Sequence, residues 1–542
     1  MPSNLTVMAF VNTMAIGKKL FVPLYFAALI VLGLSLFADY GISYDESTSR
    51  TNGMVSLNHI LKTAGVEVFK GDQELEKFNV PLETYADRDY GVAFEIPLAA
   101  AERLLALADV RQQYLFRHLA TFLAFMVGVF AVYRLAARRF SSWAWGLIAA
   151  TMLIASPRFF AEAFYNDKDI VFMACIAIAM NTMVLFLERP SARTLLLHAM
   201  ATGFAIDVRV MGIFLPVITL CVMGARVAQR QMSPKHAFAA VLGYLAVTAA
   251  VVYVFWPWLW SDPWANFAQA VNNMSHYRWH GMNRYLGAFV PASRIPWHYV
   301  PVWLGVTTPP LYLGLFLVGS ISIAFPIIAR RRLWSESGGM QDFLFLGIFA
   351  GAVLSIIALK SVLYDGWRQL YFIYPAFLMI AVRGMHVLWT RTLHAPLQRL
   401  LLGAVIVAAL ANTIYWMIGA HPFQNVYFNR LAGVNWASRF DMDYWGLSNR
   451  AVYEYILTHD ERPIIKVWPV SNTPVLNGAM MVDPASRNRI VLAEGPEDAD
   501  YLVNNYRFLK GEAYKADDPS KPLWHQILVD GQAILSIYKG QK

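Results

Sequence analysis

The chain has 542 residues, of which 57% are apolar and 15% charged, with a formal net charge of +9. Soluble domains carry about 25% charge, so this sequence cannot cover the surfaces that a soluble protein of its length would expose, and it is too apolar to be disordered. With a mean hydropathy of +0.42, it reads as a polytopic α-helical membrane protein.

A bilayer core takes about 20 apolar residues per helix, and eleven segments meet or approach that length. In chain order they are Leu20–Ala38, Phe116–Tyr133, Trp143–Ala155, Ile170–Leu187, Leu195–Ile206, Val210–Met223, Phe238–Trp256, Pro310–Ala329, Phe343–Leu359, Leu370–Val387 and Leu400–Ile418. The first lacks the cleavage pattern of a signal peptide and reads as a retained anchor. The fifth and sixth are short and read equally well as one broken helix.

Lys and Arg set the orientation. Arg134, Arg138 and Arg139, Arg189 and Arg193, Arg226, Arg230 and Lys235, Arg330 to Arg332, and Arg391 and Arg399 fall in alternate loops, whereas the intervening short loops hold few. The N-terminus is therefore expected inside and, after an odd number of spans, the C-terminus outside. Basic residues placed this way orient helices and form no stripe for nucleic acid, which is not an expected partner. Cys175 and Cys221 lie in apolar runs, so neither a disulfide framework nor a thiolate metal site is expected.

Residues 1–420 are then the membrane domain, with large outer loops at 39–115 and 259–308. The first loop holds apolar pieces, Met54–Leu61 and Phe94–Leu107, suited to the interface. The second is rich in aromatics (Trp256, Trp258, Trp260, Trp264, Tyr277, Trp279, Trp297, Tyr299 and Trp303), most of which fit a headgroup-level belt. Residues 421–542 read as a small extracytoplasmic mixed α/β domain. A helix is expected over Ala451–Leu457, strands over Ile464–Val467, Ile490–Ala493 and Tyr501–Val503, and a hairpin over Ile527–Val529 and Ala533–Ile537 around Asp530-Gly531.

No Walker loop, dinucleotide fingerprint, HExxH or CxxC occurs. What stands out are acids just outside the bilayer: Asp45-Glu46 after the first span, and Asp167-Lys168-Asp169 opening the fourth. Charge at that boundary needs water or a partner, and paired carboxylates there suit general-base work, a divalent metal ion at Asp45 and Asp169, or both. The D-x-D spacing is weak evidence, since Asp87-Arg88-Asp89 and Asp441-Met442-Asp443 share it. Two arginines fall on the same face against the orientation rule. Arg209 either pairs with Asp207 or binds an anion, and Arg368 either pairs with Asp365 or binds phosphate. His276, His280 and His298 are further loop groups able to ligate.

The order of these features resembles the GT-C superfamily of integral membrane glycosyltransferases, and within it the protein O-mannosyltransferase and lipid A aminoarabinose transferase group. The resemblance is carried by Asp45-Glu46, by Ser156-Pro157-Arg158 followed by Asp169, and by Tyr364-Asp365-Gly366-Trp367-Arg368-Gln369-Leu370-Tyr371 before Tyr374-Pro375. It extends to His421-Pro422-Phe423-Gln424-Asn425-Val426-Tyr427-Phe428-Asn429 and Asp443-Tyr444-Trp445-Gly446. It implies a GT-C-like fold in a bacterial inner membrane, with the site facing the periplasm. It also implies a polyprenyl-phosphate-linked sugar donor taken from the membrane lipids, and a glycolipid, polysaccharide or protein acceptor. By position, Asp45 is implied as the base, Glu46 as its orienting acid and Asp169 as the facing carboxylate, with Asp167 as the alternative. Arg368 and Tyr371 are implied to hold the donor phosphate, and Arg209, Asp167, Lys168 and Tyr364 complete the expected substrate-binding set. The alternative reading, a secondary transporter or flippase of a lipid-linked or anionic substrate, lacks the internal repeat usual in transporters.

Overall fold

The computed structural model describes residues 4–275, 279–331, 333–334, 337–507 and 521–540. His276, Tyr277 and Arg332 lie outside the described residues.

All eleven apolar segments are helical. They are α1 (Asn4–Leu36), α2 (Val110–Arg139), α3 (Trp143–Ile154), α4 (Asp169–Glu188), α5 (Ala192–Val208), α6 (Phe214–Ala228), α7 (Pro234–Phe255), α8 (Pro310–Arg330), α9 (Ser337–Leu359), α10 (Tyr374–Arg391) and α11 (Pro396–Gly419). Among the described residues nine spans are long and apolar enough to cross a membrane, and α3 and α5 fall short. By length and composition, nine of the eleven expected spans meet that measure. The 12 residues of α3 rise about 18 Å, against a hydrocarbon core of about 30 Å. Pro157 stops α3, because the residue before a proline is driven out of the helical region, and Ser156 adopts φ −107°, ψ 101°. The chain bends 73° into a second short helix, Pro157–Tyr165, and counting this bent pair as one span gives ten. The other doubtful pair is not one continuous helix, since Arg209 leaves α5 in an extended conformation (φ −146°, ψ 128°) before a 3-10 turn leads into α6.

Helices α2, α4 and α10 form the interior, whereas α1, α7, α8 and α11 turn apolar side chains such as Leu24, Phe238, Phe325 and Val407 outward. Such an apolar exterior suits a lipid solvent. Where α8 crosses α10, Gly319 and Gly384 admit contact with opposing carbonyls that a Cβ would block: one at Gly384 would lie 2.0 Å from the Leu315 oxygen. Polar contacts sort the helix ends. At one end Arg139 forks onto Asp342 (2.7 and 2.6 Å), Gln341 donates to Glu188 (2.6 Å) and Trp334 to Gln231 (3.1 Å). All three large loop segments gather at the other end, as the alternation of basic residues requires.

There, the helices Glu46–Ala64 and Glu95–Leu104 pack face to face where Gly53 meets the Glu95 carbonyl, with Arg50 and Glu102 paired between them (2.5 Å). In the aromatic segment Trp264 and Trp297 are exposed, but Trp256, Trp258, Tyr299 and Trp303 are packed inside the protein. The belt reading therefore holds for only part of it. A hairpin, β1 (Met282–Tyr285) and β2 (Ala288–Pro291), bridges to Phe440.

The C-terminal region carries every expected element: a helix at Asn449–His459 and β3 (Ile465–Pro469), β4 (Ile490–Leu492), β5 (Tyr501–Asn504), β6 (Leu523–Val529) and β7 (Gln532–Lys539). The sheet order is β4-β3-β5-β7-β6, parallel across β4-β3-β5 and antiparallel beyond. Its hairpin turns on Asp530 (φ 49°) and Gly531 (φ 72°), the conformation that the Asp-Gly pair favours. The separate core of this region is built from residues such as Val452, Ile456, Ile465, Val467, Val503 and Ile537. The preceding stretch, with Val426, Phe428, Trp436 and Trp445, packs into the main core instead.

Candidate active site

The site gathers at the loop-bearing end, around Arg368. Asp365 (φ 55°) and Gly366 (φ 74°) turn the chain through left-handed backbone, and Arg368 then opens the 3-10 turn that runs into α10. Its side chain is 2% exposed. Nη1 donates to Asp45 Oδ2 (3.0 Å) and Asp169 Oδ2 (3.1 Å), while Nη2 lies 3.5 Å from Asp365 Oδ2. The guanidinium also lies over the rings of Trp445 (4.5 Å) and Tyr364 (4.9 Å), which holds it in one plane.

Asp45 occupies the N-cap position of the helix Glu46–Ala64, yet its side chain makes no capping hydrogen bond. A cap aspartate usually satisfies its own helix, and this one reaches Arg368 instead. The preceding Tyr44 N–H is anchored on the Trp445 carbonyl (3.0 Å). The Asp45 side chain keeps 33% of its surface open, although protein encloses the carboxylate on most sides. Burial favours its protonated form, but Arg368, Lys168 and Arg507 outweigh that and hold it below the ordinary carboxylate range.

Asp169 opens α4, with its N–H bonded to the Asn166 side-chain oxygen (2.8 Å). Its second oxygen pairs with Arg209 (2.6 Å). Of the two aspartates in the Asn166-to-Asp169 run, Asp169 thus faces Arg368 and Asp45. Asp167 turns the other way and accepts from Ser49 (2.9 Å). Burial, with Glu95 and Glu46 nearby, pushes Asp167 well above the ordinary range. Lys168 lies 4.0 Å over the Tyr90 ring. Arg209 pairs with Asp169, and the ion pair expected as its bland alternative, with Asp207, is absent.

Glu46 points away from Asp45. It accepts from the Ser43 N–H (2.5 Å) and lies 2.9 Å from His118 Nε2, which fixes the loop that carries Asp45. Tyr371 is fully buried and donates to Glu162 (2.8 Å). Glu162 in turn accepts from Asn166 (2.6 Å), whose amide is 3.3 Å from Asp169. Tyr371 therefore reaches the Arg368 cluster through a buried relay, not directly. Glu162 was not anticipated, although a lone carboxylate in Phe159-Phe160-Ala161-Glu162-Ala163-Phe164 is the usual mark of a built polar group in an apolar setting. Arg507 was also not anticipated. It comes from the C-terminal region and bonds Asp365 (2.7 Å) and the Tyr444 carbonyl (2.8 Å). No motif surrounds it.

The other two D-x-D runs serve elsewhere. Asp89 accepts from Asn273 (2.7 Å), and Asp443 accepts from the Leu447 and Ser448 N–H groups (3.2 and 3.0 Å). Asp441 accepts from the Arg284 N–H (3.0 Å), and burial, reinforced by Asp365, raises it to about 7. Its protonated form is the one the fold favours, so its contribution to stability is complete below the ordinary carboxylate range and is lost as pH rises through about 7. Asp441→Asn is expected to raise the unfolding temperature relative to the parent at about pH 8 and to leave it unchanged at about pH 4; thermal scans at both values check this.

For the expected divalent ion, these residues offer no preformed cage of three or more protein ligands. Asp45 and Asp169 share one guanidinium, and among the described residues no three His, Cys, Asp or Glu side chains converge on a point.

Residues 105–256 match the sequence model of the dolichyl-phosphate-mannose-protein mannosyltransferase family. The matched stretch contains Asp169 and Arg209 and leaves out Asp45 and Arg368. Among solved structures, the chain is similar to ArnT from Cupriavidus metallidurans in the apo state, at 14% identity and a TM-score of 0.49, over 95% of this chain and 97% of that one. It is also similar to the same protein bound to undecaprenyl phosphate, at 15% identity and a TM-score of 0.46, with the same coverage. No curated protein sequence matches the chain.

Proposed function

We propose that this GT-C-type glycosyltransferase moves a sugar from a polyprenyl-phosphate donor to a hydroxyl group of an acceptor on the outer face of a bacterial inner membrane. One observation carries the reading: Arg368 is shared by Asp45 and Asp169, three residues brought together from distant parts of the chain at one end of an apolar bundle. A base and a phosphate-binding cation in contact, at the depth of lipid headgroups, are what this transfer needs.

The chemistry balances without an energy source. The acceptor oxygen attacks the anomeric carbon while its proton passes to Asp45. The bond between that carbon and the phosphate oxygen breaks, and polyprenyl phosphate leaves with the electron pair. Attack opposite the leaving group inverts the anomeric centre. Arg368 binds the phosphate as its charge grows. Asp169, fixed by Arg209 and Asn166, keeps Arg368 in place. Tyr371 acts behind it through Glu162 and Asn166. Glu46 positions the Asp45 loop through Ser43 and His118. Tyr364 and Trp445 confine the guanidinium, and Lys168 adds positive charge beside Asp45. The outer loops 39–115 and 259–308 and the region 421–542 shape the approach of a glycolipid, polysaccharide or protein acceptor, and residues 1–420 are the catalytic membrane domain.

The test uses purified full-length protein with a panel of polyprenyl-phosphate sugars, read by mass spectrometry as release of polyprenyl phosphate. Release from one donor, unchanged by a chelator, is expected. If no donor is consumed in the presence of cell-envelope acceptors and none is bound, the reading fails.

A further inference from the structure

The donor reading leaves the C-terminal region without a part in the chemistry, yet Arg507 reaches the site from it. Arg507 follows β5. The loop that carries it is fixed by the Asn505 side chain, which accepts from the Arg507 N–H (3.2 Å) and donates to the Asp443 carbonyl (3.2 Å). The Arg507 carbonyl takes the Asn472 N–H (2.9 Å). Tyr506, just before it, has φ 61°, an uncommon conformation for a bulky residue that persists only where surrounding contacts impose it. Asp365, the partner across the gap, is also left-handed at φ 55°. The ion pair thus joins Asp365, itself left-handed, to Arg507, the residue directly after the left-handed Tyr506.

Asp365 gives one oxygen to each arginine: Oδ1 to Arg507 Nη2 at 2.7 Å, and Oδ2 to Arg368 Nη2 at 3.5 Å. An anion held by two guanidiniums through two oxygens is the arrangement that the two non-bridging oxygens of a phosphodiester also take. The longer of these contacts is the weakest of Arg368's three carboxylate contacts and is at the limit of a hydrogen bond. It is the contact an incoming phosphate displaces most easily. The Arg507 guanidinium also lies 5.5 Å from the Tyr44 ring, next to Asp45, and is only 10% exposed.

We infer that Arg507 is the second arm of the donor-phosphate clamp: the C-terminal region supplies it opposite Arg368, with Asp365 bridging the two cations until the lipid phosphate takes its place. This rests on the polyprenyl-phosphate reading and gives the C-terminal region a direct role in binding the donor.

The test measures binding of a polyprenyl phosphate and of the corresponding polyprenol to full-length protein in detergent. Both are compared in the parent, Arg507→Gln and Arg507→Lys, with thermal unfolding of each protein recorded. The parent is expected to prefer the phosphate. Arg507→Gln should weaken phosphate binding on the order of tenfold, and Arg507→Lys, which keeps a point charge but not the fork, by less. Polyprenol binding should not change. A purely structural role would lower both ligands together. If Arg507→Gln does not fold, Arg507→Lys carries the test through its loss of phosphate preference. Unchanged phosphate preference in the folded variants overturns the assignment. A parent protein that does not distinguish phosphate from alcohol overturns the donor reading and this inference with it.

Discussion

Asp45→Asn is expected to reduce sugar transfer by about a hundred- to ten-thousandfold while donor binding survives, because it removes the proposed base and leaves the volume and the Arg368 contact largely intact. Asp45 is a carboxylate kept ionised by neighbouring cations. In the free enzyme the acid limb of kcat/KM should therefore fall below the ordinary carboxylate range. A low pKa also makes a weak base, and the geometry resolves that tension. In the proposed reaction Asp45 and the donor phosphate compete for the same guanidinium. As the phosphate engages Arg368, less of that positive charge is left for Asp45, and its proton affinity rises when the acceptor hydroxyl must be deprotonated. The acid limb of kcat, which reports the loaded enzyme, should accordingly lie above that of kcat/KM. Steady-state rates across pH with saturating and limiting donor separate the two. Equal limbs would remove the coupling, and an active Asp45→Asn variant would remove the base.

How much of this was legible in the sequence depends on the range of the interaction. The helices follow from runs of apolar residues, a local signal, and every one of them is present. Length is where local breaks matter: Ser156-Pro157 ends α3 at 12 residues, and Asp207-Val208-Arg209 ends α5 at 17. The small sheet was equally legible, because Asp530-Gly531 and the alternating strands beside it are short-range patterns. Asp45, Asp169 and Arg368 were found because charge at a membrane boundary is conspicuous. Their mutual contact was not readable, since it joins residues up to 323 positions apart. Side-chain direction was lost in the same way. Glu46 and Asp167 sit beside the acids that face Arg368, yet Glu46 turns to Ser43 and His118, and Asp167 turns to Ser49. Arg507 carried no signal at all. Its place depends on how β5 is held against residues 443–446, a tertiary fact with no pattern in the chain.

Arg368→Ala is expected to damage folding as well as catalysis. The guanidinium is 2% exposed and lies against Asp45, Asp169 and Asp365. Removing one partner of a buried ion pair costs about 3–5 kcal/mol, because the remaining charge stays buried and uncompensated. Here three carboxylates lose a shared cation at once, although Arg209 still serves Asp169 and Arg507 still serves Asp365. Asp45 is left with Lys168 and Arg507 at longer range. The alanine variant should therefore unfold at a clearly lower temperature, and part of that loss should return when Asp45→Asn is added, because the second change removes the stranded charge. Arg368→Lys separates stability from chemistry. An ammonium group supplies the charge but cannot span acids on three sides or lie flat between Trp445 and Tyr364. It should keep most of the fold and still lose about a hundredfold or more in transfer, the scale seen when one donor to a developing oxyanion is removed. A lysine variant with full turnover would show that charge alone suffices, and the fork geometry built by Asp45, Asp169 and Asp365 would then belong to the fold and not to the reaction.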